Sequence, residues 1–418
     1  MGKRNFYYGW LIVGVAFFAL FLNYGIRNTS TVLFKDVVKD IGVSRGAGSI
    51  PFTVMVALYA IGAPIVGKLI DKFGPSRILP TGLALAGLGL CLCSKISNLA
   101  TFILFFGIIF GIGGNGIGLV PTNTAVASWF RRRMGLALGI ASVGIGLGTV
   151  IIPPLTQWVL STWGWRASFL FLGLLTSVSA IPAYLIMRKE RDQRNINHLN
   201  DFPDNSGGIK RNLSDAPSVL PDGDWTLREA LRSANLWKIF FSFVILVVAL
   251  YGVLLHQVPY ATDKGISKSM ATLSVTVAGI SSIAGRFFFG WLSDKTKTRK
   301  LAIYPAYIMV TIALVILIYI KNSLMLFAYA AVYGLGYAAY GPVLPAIVAD
   351  IFGKKNMGSI FGAVTAGGAI GGAVGPYVTG LLYDLTGGYA YAWLLGIICS
   401  LISFALIASV KYPSRLKP

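Results

Sequence analysis

Apolar segments of about twenty residues recur along nearly the whole chain, and they restrict the folds that it can adopt. A helix of about 20 apolar residues is long enough to cross the hydrocarbon core of a lipid bilayer. The composition agrees, because 55% of the residues are hydrophobic and 12% are charged, whereas a soluble domain has about 25% charged residues. We therefore predict an all-α membrane protein with twelve transmembrane helices, at approximately 7–26, 48–67, 78–95, 99–128, 134–159, 165–187, 237–259, 270–291, 301–320, 324–350, 358–382 and 389–410.

Positive charge is distributed unevenly among the segments that connect these spans. The formal net charge is +21, and 26 of the 36 Lys and Arg residues fall on the side of the membrane that carries both termini, with nine on the other side. Basic residues accumulate on the cytoplasmic side of membrane proteins. We therefore predict a multi-pass protein of the plasma (inner) membrane with both termini in the cytoplasm. The basic charge sets orientation in the lipid bilayer, so a nucleic-acid partner is excluded.

The two halves of the chain resemble each other when the sequence is shifted by 223 residues without gaps. The shift places Gly67 and Asp71 on Gly290 and Asp294, and it aligns further Gly, Met and Pro positions over 87 residues. A parallel repeat of two six-helix halves is typical of the major facilitator transporters, whose substrate site lies between the repeats. We predict three parts, an N-terminal half, a polar cytoplasmic linker ending in a short surface helix, and a C-terminal half, at 1–187, 188–236 and 237–418.

Glycine residues recur at every fourth position in spans five and eleven. Gly144 and Gly148 form one stripe, and Gly367, Gly371 and Gly375 form the other. Two helices can approach closely along stripes of this kind. We expect the stripes to lie where the halves move against each other, and ordinary packing of neighbouring helices is the alternative.

Arg286 is a basic residue inside a predicted span, in the run "SSIAGRFFFGWLSDK" at 281–295. A guanidinium stays charged in proteins, and ionisable residues in transmembrane helices usually face a water-filled cavity. None of the 15 Asp and Glu residues falls in the middle of a span. Two interpretations remain: the side chain snorkels to the nearby interface, or a substrate carboxylate binds it through two parallel hydrogen bonds.

The number of cations in the spans limits the charge of such a substrate. One guanidinium matches one negative charge, whereas a dicarboxylate would require a second cation. Span eleven, at 358–382, contains no Lys or Arg. The sequence therefore favours a small monoanion.

Motifs of enzymes and metal sites are missing or misplaced. "GIGGNG" at 111–116 has the glycine spacing of a dinucleotide-binding loop, but it lies inside a span and not between a strand and a helix. His198 falls in the linker, His256 falls near the outer end of span seven, and the three cysteines lie in apolar spans. We therefore predict that the chain is not an enzyme and holds neither a metal ion nor a cofactor.

The run "WFRRRMGLALGIASVGIGLG" at 129–148 closely resembles the span-five signature of the monocarboxylate transporters. "YGW" at 8–10 and "STVLFKD" at 30–36 resemble the family's span one, and "PYATDKG" at 259–265 resembles its loop between spans seven and eight. The resemblance covers both halves and is absent from the linker. In the span-five run the matching residues are Phe130, Arg132, Arg133, Leu136, Ala137, Gly139, Ala141, Gly144 and Gly148.

The resemblance implies a transporter that carries monocarboxylates, such as lactate and pyruvate, together with one proton. Arg286 falls where the family has its substrate-binding arginine, and Tyr337 falls where it has an aromatic residue of the pocket. Tyr24 in span one and Asn123 in span four are further pocket candidates, Asn123 because its depth is comparable with that of Arg286. We therefore expect a bacterial-type L-lactate:proton symporter that works by alternating access.

Two positions depart from the animal members of the family and affect proton coupling. Those members have an aspartate where this chain has Ser282, and a lysine in span one where it has Asn28 beside Arg27. Proton coupling must then use another group. Asp263 is our first candidate, because span seven is long enough to tilt it inward, and His256 or the substrate carboxylate are the others.

Two other functions remain open. The oxalate/formate exchangers are similar to this chain, although they carry a lysine in span eleven that is absent here, and an exchanger needs no proton. A nutrient sensor that binds without transport usually has a long signalling tail, whereas this sequence continues for eight residues after Val410. Transport is therefore favoured, and no obligate protein partner is evident.

Asp71 and Asp294 each end a G-x-L-x-D motif, and both motifs resemble the superfamily's cytoplasmic gate. The resemblance implies that each aspartate pairs with an arginine across the halves when the transporter opens outward. Neutralising either should then bias the conformation and leave the pocket chemistry intact.

Overall fold

The computed structural model describes residues 7–130, 133–193 and 225–412. Within these residues the chain consists of α-helices joined by short loops and contains no β-strand. The long helices are α1 Gly9–Asp40, α2 Arg45–Phe73, α3 Pro75–Cys93, α4 Leu99–Trp129, α5 134–163, α6 165–193, α7 Ala234–Asp263, α8 Lys268–Lys295, α9 Arg299–Ile318, α10 Ser323–Phe352, α11 Met357–Thr386 and α12 Ala390–Ala408.

A single glycine separates α5 from α6. The 60 residues from Met134 to Gln193 are helical apart from Gly164, whose φ of 81° and ψ of 176° end one helix and begin the next. An unbroken helix of that length would measure about 90 Å at 1.5 Å per residue, roughly three times the hydrocarbon thickness. Eleven helical stretches of the described chain are long and apolar enough to cross a membrane. Because one of them holds both α5 and α6, the prediction of twelve spans is confirmed for the described residues.

Short polar side chains mark where several helices begin. Ser44 and Ser267 accept a hydrogen bond from a first-turn N–H of α2 and α8, and Asn98 and Asn322 do so for α4 and α10. Such caps satisfy donors that the first turn of a helix leaves without an acceptor. The loops between helices can therefore be short.

α1 is longer than the sequence predicted. It continues to Asp40, whereas the apolar pattern ends near residue 26. No Gly or Pro occurs between Arg27 and Asp40, and the chain leaves the helix only at Ile41 and Gly42, where φ is 68°. Loss of hydrophobicity does not end a helix, so Arg27 is a helical residue and not part of a loop.

The predicted linker is described only at its ends. Residues 194–224 lie outside the described chain, and α6 continues to residue 193. Before α7 lies the predicted short surface helix, Leu227–Arg232, which Thr226 and Glu229 begin with a reciprocal capping box. Hydrogen bonds to Thr226 lower the pKa of the exposed Glu229 carboxyl below its ordinary value.

Helix contacts in the first half recur in the second half 223 residues later. Gly144 and Gly148 of α5 face the carbonyl oxygens of Phe17 and Phe21 in α1. At the shifted positions, Gly367 of α11 faces the Phe240 ring, and Gly371 faces the Val244 carbonyl oxygen, both in α7. The internal repeat is therefore structural. The expectation that the glycine stripes lie between the halves is wrong, because they join neighbouring helices within each half.

Other glycines join the two halves. A methyl group on Gly358 of α11 would lie 2.5 Å from the carbonyl oxygen of Gly67 in α2, and one on Gly290 of α8 would lie 2.5 Å from that of Gly135 in α5. The backbones of α2 and α11, and of α5 and α8, are therefore in direct contact. The two crossings are related by the same shift of 223 residues, which gives the halves a twofold relation.

Both crossings lie near the face of the molecule that holds the two described chain ends. Tyr7 donates to the carbonyl of Trp129, and Lys354 donates to the carbonyl of Phe130 at 2.6 Å. Near the other end of the chain, Asn235 donates to the carbonyl of Lys411 at 2.7 Å. We call this side the termini face; its assignment to the cytoplasm stays a prediction.

We expect Gly290→Val to destabilise the protein by about 1–3 kcal/mol, the range for overpacking a close contact. The added side chain would force α8 away from the Gly135 carbonyl. Thermal unfolding of the purified protein checks this. Gly279→Val is the matched control, since no atom lies within 4 Å of a Cβ at this position of the same helix. Equal unfolding midpoints for the two variants would contradict the contact.

Candidate substrate-binding site

Arg286 lies in α8 with 5% of its surface exposed. Its Nη1 donates to the hydroxyl of Ser282 at 2.6 Å, and its Nε has no hydrogen-bond partner. Among the ion pairs of the described residues, none joins Arg286 to a carboxylate. Ser282, one turn away on α8, therefore offers a neutral oxygen. This oxygen does not neutralise the positive charge of Arg286.

Small residues surround the guanidinium. A Cβ on Gly146 of α5 would lie 3.5 Å from Nη1, and one on Gly341 of α10 would lie 3.9 Å from Nε. The Arg286 backbone carbonyl faces Gly139 of α5. The side chain is thus enclosed by helices of both halves, which argues against snorkelling along the helix surface.

Tyr337 of α10 lies beside the guanidinium, with the Arg286 Cζ 5.7 Å from its ring centre. Its ring packs on Tyr333 at 5.4 Å, and Tyr333 packs on Tyr329 at 5.6 Å. The hydroxyl of Tyr333 donates to the Leu250 carbonyl of α7. The predicted pair of Arg286 and Tyr337 is therefore brought together, with Tyr337 at the end of a packed column.

Tyr24 belongs to a second cluster, which lies across the space between the halves. The Arg27 Cζ lies 5.5 Å from the Tyr24 ring centre and 4.7 Å from that of Tyr59 in α2. Tyr251 of α7 lies within electrostatic range of Arg27, Tyr59 and Tyr337. It therefore connects the two clusters.

Tyr251, Tyr59 and Arg27 were missed as site residues by the sequence analysis. Tyrosine is enriched at membrane interfaces. Tyr251 lies in the middle of α7, away from either end, and this unusual position could have identified it as a candidate site residue. Arg27 was assigned to an outer loop because span one was predicted to end at residue 26. Its place inside α1 depends on the helix continuing past the apolar segment.

The described hydrogen bonds between the halves are concentrated at the termini face. The described hydrogen bonds that join the halves all lie at that face, at Asp71, Asp294 and Lys354. Tyr251 is 46% exposed, although it lies near residues of α1, α2 and α10. Tyr251 therefore lies near residues of both halves and keeps part of its side chain uncovered.

Asn123 of α4 is fully buried, and neither atom of its side-chain amide has a hydrogen-bond partner among the described residues. An unsatisfied buried polar group costs roughly 1–3 kcal/mol. No described contact joins Asn123 to Arg286. Its burial agrees with the predicted depth, and its place in the pocket stays a prediction.

The two proton-coupling candidates lie apart from Arg286. Asp263 is exposed at the last residue of α7, and its role in proton coupling stays a prediction. His256 is partly buried, with Nδ1 3.2 Å from the Tyr389 hydroxyl and Nε2 3.1 Å from the Pro376 carbonyl oxygen. It links α7 to α11 and to Tyr389, which precedes α12.

Asp71 and Asp294 join the halves through backbone N–H groups. Asp71 accepts from the N–H groups of Gly358 and Ser359 at 2.9 and 2.8 Å, and Asp294 accepts from those of Gly135 and Leu136, both at 2.8 Å. Each aspartate therefore caps the first turn of a helix in the other half, α11 or α5. A negative charge is favourable there, because the N-terminus of a helix carries partial positive charge.

The arginine near this gate comes from the same half. Arg299 Nη2 lies 3.5 Å from Asp294, and its Nη1 pairs with Asp350. The expected pairing of Asp71 and Asp294 with an arginine across the halves stays a prediction.

Asp71→Ala should make the amides of residues 358 and 359 exchange with deuterium about tenfold faster. First-turn N–H groups lack an intrahelical acceptor, so the carboxylate is their protection. Hydrogen–deuterium exchange with mass spectrometry of a peptide spanning the start of α11 measures this. Asp384→Ala, which removes an exposed carboxylate from the far end of the same helix, is the control. Unchanged exchange in Asp71→Ala would show that the cap does not hold in solution.

Comparison with known proteins agrees with this architecture. The rat monocarboxylate transporter 13 is 26% identical over 392 residues, which cover 93% of this chain and 85% of the relative. The human monocarboxylate transporter 2 is 25% identical over 396 residues, covering 93% and 82%. The solved human organic anion transporter MFSD10 (TETRAN) matches with a TM-score of 0.71 at 16% identity, over 96% of this chain and 99% of that one.

The predicted fold and class are confirmed by these comparisons. The relatives and the structural neighbours are transporters and not enzymes. The sequence profile of the Major Facilitator Superfamily matches residues 16–324 and 257–418. The chain therefore belongs to the Major Facilitator Superfamily.

Proposed function

We propose that the chain transports small monocarboxylates, with L-lactate as the predicted substrate and pyruvate-like anions as further ones, by proton symport with alternating access. The two monocarboxylate transporters that cover 93% of the chain support this substrate class. The proposed location is the plasma (inner) membrane, with both termini in the cytoplasm. The termini face, which is closed in this structure, is then the cytoplasmic one.

The observation that carries the proposal is the buried guanidinium of Arg286. It is held between α5, α8 and α10 with one neutral hydroxyl as its hydrogen-bond partner. A carboxylate can bind a guanidinium through two parallel hydrogen bonds, which set its orientation. Tyr337 would contact the remainder of a small substrate, and Tyr24 and Asn123 remain candidates for contacts from the other half.

Alternating access would require the contacts of the termini face to separate. The glycine crossings and the caps by Asp71 and Asp294 hold that face closed. Backbone contacts between helices can be broken by rotating one half against the other. The proposed gate is therefore the pair of caps.

Proton coupling is proposed to use His256 ahead of Asp263. Histidine is the side chain whose charge changes most readily near neutral pH. The Pro376 carbonyl can only accept, so Nε2 carries a hydrogen, and protonation of Nδ1 would turn its contact with Tyr389 from acceptor to donor. A proton on His256 would therefore alter the contacts that join α7 to α11 and α12.

An exchanger is the second candidate function, and one observation favours it. No acidic side chain pairs with Arg286 among the described residues. Exchange of one carboxylate for another would keep the guanidinium compensated and would need no proton. The sensor remains a third possibility, distinguished by binding without flux.

Radiolabelled L-lactate uptake into proteoliposomes, with and without an inward proton gradient, tests the proposal. We expect gradient-driven accumulation by the wild-type protein and its loss in Arg286→Gln. Arg286→Lys should lower uptake about tenfold or more, because it keeps the charge but loses the paired hydrogen bonds. Lys321→Gln is the control, since it removes an exposed charge in the loop before α10.

Any other result of the uptake assay would support a different conclusion. Normal uptake by Arg286→Gln would overturn the role of the arginine. Uptake that requires an anion inside the vesicles would favour the exchanger, and binding with no flux in either assay would favour the sensor.

His256→Gln should lose gradient-driven accumulation while it retains exchange of labelled for unlabelled lactate, because only net symport needs the proton. Asp263→Asn should keep both activities within about twofold, since this carboxylate is exposed. Measuring accumulation and counterflow on the same vesicles separates the two steps. If Asp263→Asn lost accumulation and His256→Gln kept it, Asp263 would be the proton-coupling residue.

A further inference from the structure

The surface helix before α7, Leu227–Arg232, presents two arginines and a leucine on one side. Arg228, Leu231 and Arg232 are all exposed, and residues three and four positions apart lie on the same side of a helix. Ala230, on the opposite side, is buried. The exposed side is therefore amphipathic, with two positive charges around one apolar side chain.

The positive charge of this surface is not neutralised by carboxylates. Neither Arg228 nor Arg232 forms an ion pair among the described residues. Glu229, the one acidic residue of the surface helix, instead accepts the hydrogen bonds of the capping box. Close by, two hydrogen bonds between the Asn235 amide and the backbone of Lys411 bring a third basic residue to the start of α7. The surface therefore has an excess of positive charge.

The surface helix lies where α7 enters the membrane. Trp237, in the first turn of α7, donates from its indole Nε1 to the Leu231 carbonyl at 2.8 Å. Its ring packs on the Phe241 ring at 5.8 Å, and both side chains are exposed. Tryptophan is enriched at the boundary between hydrocarbon and water. The two arginines therefore lie at the level of the lipid headgroups on the termini face.

The beginning of the surface helix is fixed to the C-terminal half. The Trp225 N–H donates to the Phe352 carbonyl at 3.2 Å, and the Trp225 carbonyl accepts from the Asn356 amide at 2.8 Å. The rings of Trp225 and Phe352 meet edge to face at 5.6 Å. The arginines are therefore presented on an element that is held at both ends.

Anionic lipids match the chemistry of this surface. A guanidinium donates paired hydrogen bonds to phosphate oxygens, and basic residues at the membrane surface attract anionic headgroups. Apolar side chains between such charges enter the boundary between headgroups and acyl chains. A soluble phosphate would gain nothing from Leu231 and Trp237, so the surface favours a lipid over a free anion.

We propose that the surface helix and the start of α7 bind an anionic phospholipid, with Arg228 and Arg232 at its phosphate and with Leu231 and Trp237 against its acyl chains. Under the proposed orientation the termini face meets the cytoplasmic leaflet, whose surface is negative because of anionic lipids. This lipid site would be present whether the chain is a symporter, an exchanger or a sensor.

Native mass spectrometry of the full chain in detergent tests this with two probes, phosphatidylglycerol and phosphatidylcholine with the same acyl chains. The headgroups differ in net charge. For the first lipid bound, we expect the wild-type protein to prefer phosphatidylglycerol about tenfold. The double variant Arg228→Gln/Arg232→Gln should reduce this preference to about twofold or less. Excess inorganic phosphate should leave the lipid bound to the wild-type protein.

Two further variants complete the design. Lys268→Gln/Lys321→Gln is the matched control, because it removes two exposed charges near the starts of α8 and α10, on the other face of the molecule. It should keep the wild-type preference. Leu231→Gln should weaken the binding of both lipids, since it removes the apolar contact and neither arginine.

Several outcomes would overturn the lipid site. Equal affinity of the wild-type protein for the two lipids would do so, and so would an unchanged preference in the double arginine variant. An equal loss of preference in the lysine control would show that net charge alone decides binding. Displacement of the lipid by inorganic phosphate would assign the arginines to a soluble anion instead. Equal unfolding midpoints of the variants and the wild-type protein show that each variant is folded.

Discussion

The permanent positive charge of Arg286 is the constraint on which the site depends. Removing a charge from water is unfavourable unless other charges or hydrogen bonds compensate it. Here one hydroxyl and the face of one tyrosine compensate it in part. Glycines on α5 and α10 place backbone, and no side chain of their own, beside the guanidinium. Under the proposed function the substrate supplies the missing negative charge.

The same repeat that gives the fold its two halves also closes one of its faces. Gly67 with Gly358 and Gly290 with Gly135 are equivalent pairs, and the caps by Asp71 and Asp294 are equivalent too. Under the proposed function the substrate site does not follow this symmetry, because Arg286 corresponds to Ala63 and Tyr337 to Gly114 in the other half. The repeated residues thus hold the halves together, and the residues of the proposed site differ between them.

Features that depend on the local sequence could be predicted, and features that depend on contacts between distant helices could not. Apolar length predicted the spans, and a fixed shift predicted the repeat that the contacts of Gly144 and Gly367 confirm. Small-residue spacing predicts close approach but not the partner helix, so the stripes were placed at the wrong interface. The gate aspartates were found, but their partners are backbone N–H groups, which every residue except proline has and which no sequence pattern marks.

The end of α1 shows how one local error changes the chemistry assigned to a site. Polarity after residue 26 suggested a loop, but only the Gly42 turn ends the helix. About four helical turns lie between these two points, and they place Arg27 within α1, over the Tyr59 ring. Hydropathy reports where a helix leaves the hydrocarbon, whereas backbone conformation decides where the helix stops.

Helix α8 connects the candidate substrate site to the gate. Arg286 and Asp294 lie eight residues apart on it, about 12 Å along the axis at 1.5 Å per residue. The Arg286 carbonyl faces Gly139 of α5, and Asp294 caps the first turn of that same helix. An anion that draws the guanidinium toward the cavity would therefore act on the crossing that keeps the termini face closed. Since the crossing is backbone against backbone, with no flexible side chain to absorb a shift, a movement of α8 at Arg286 would reach the Asp294 cap.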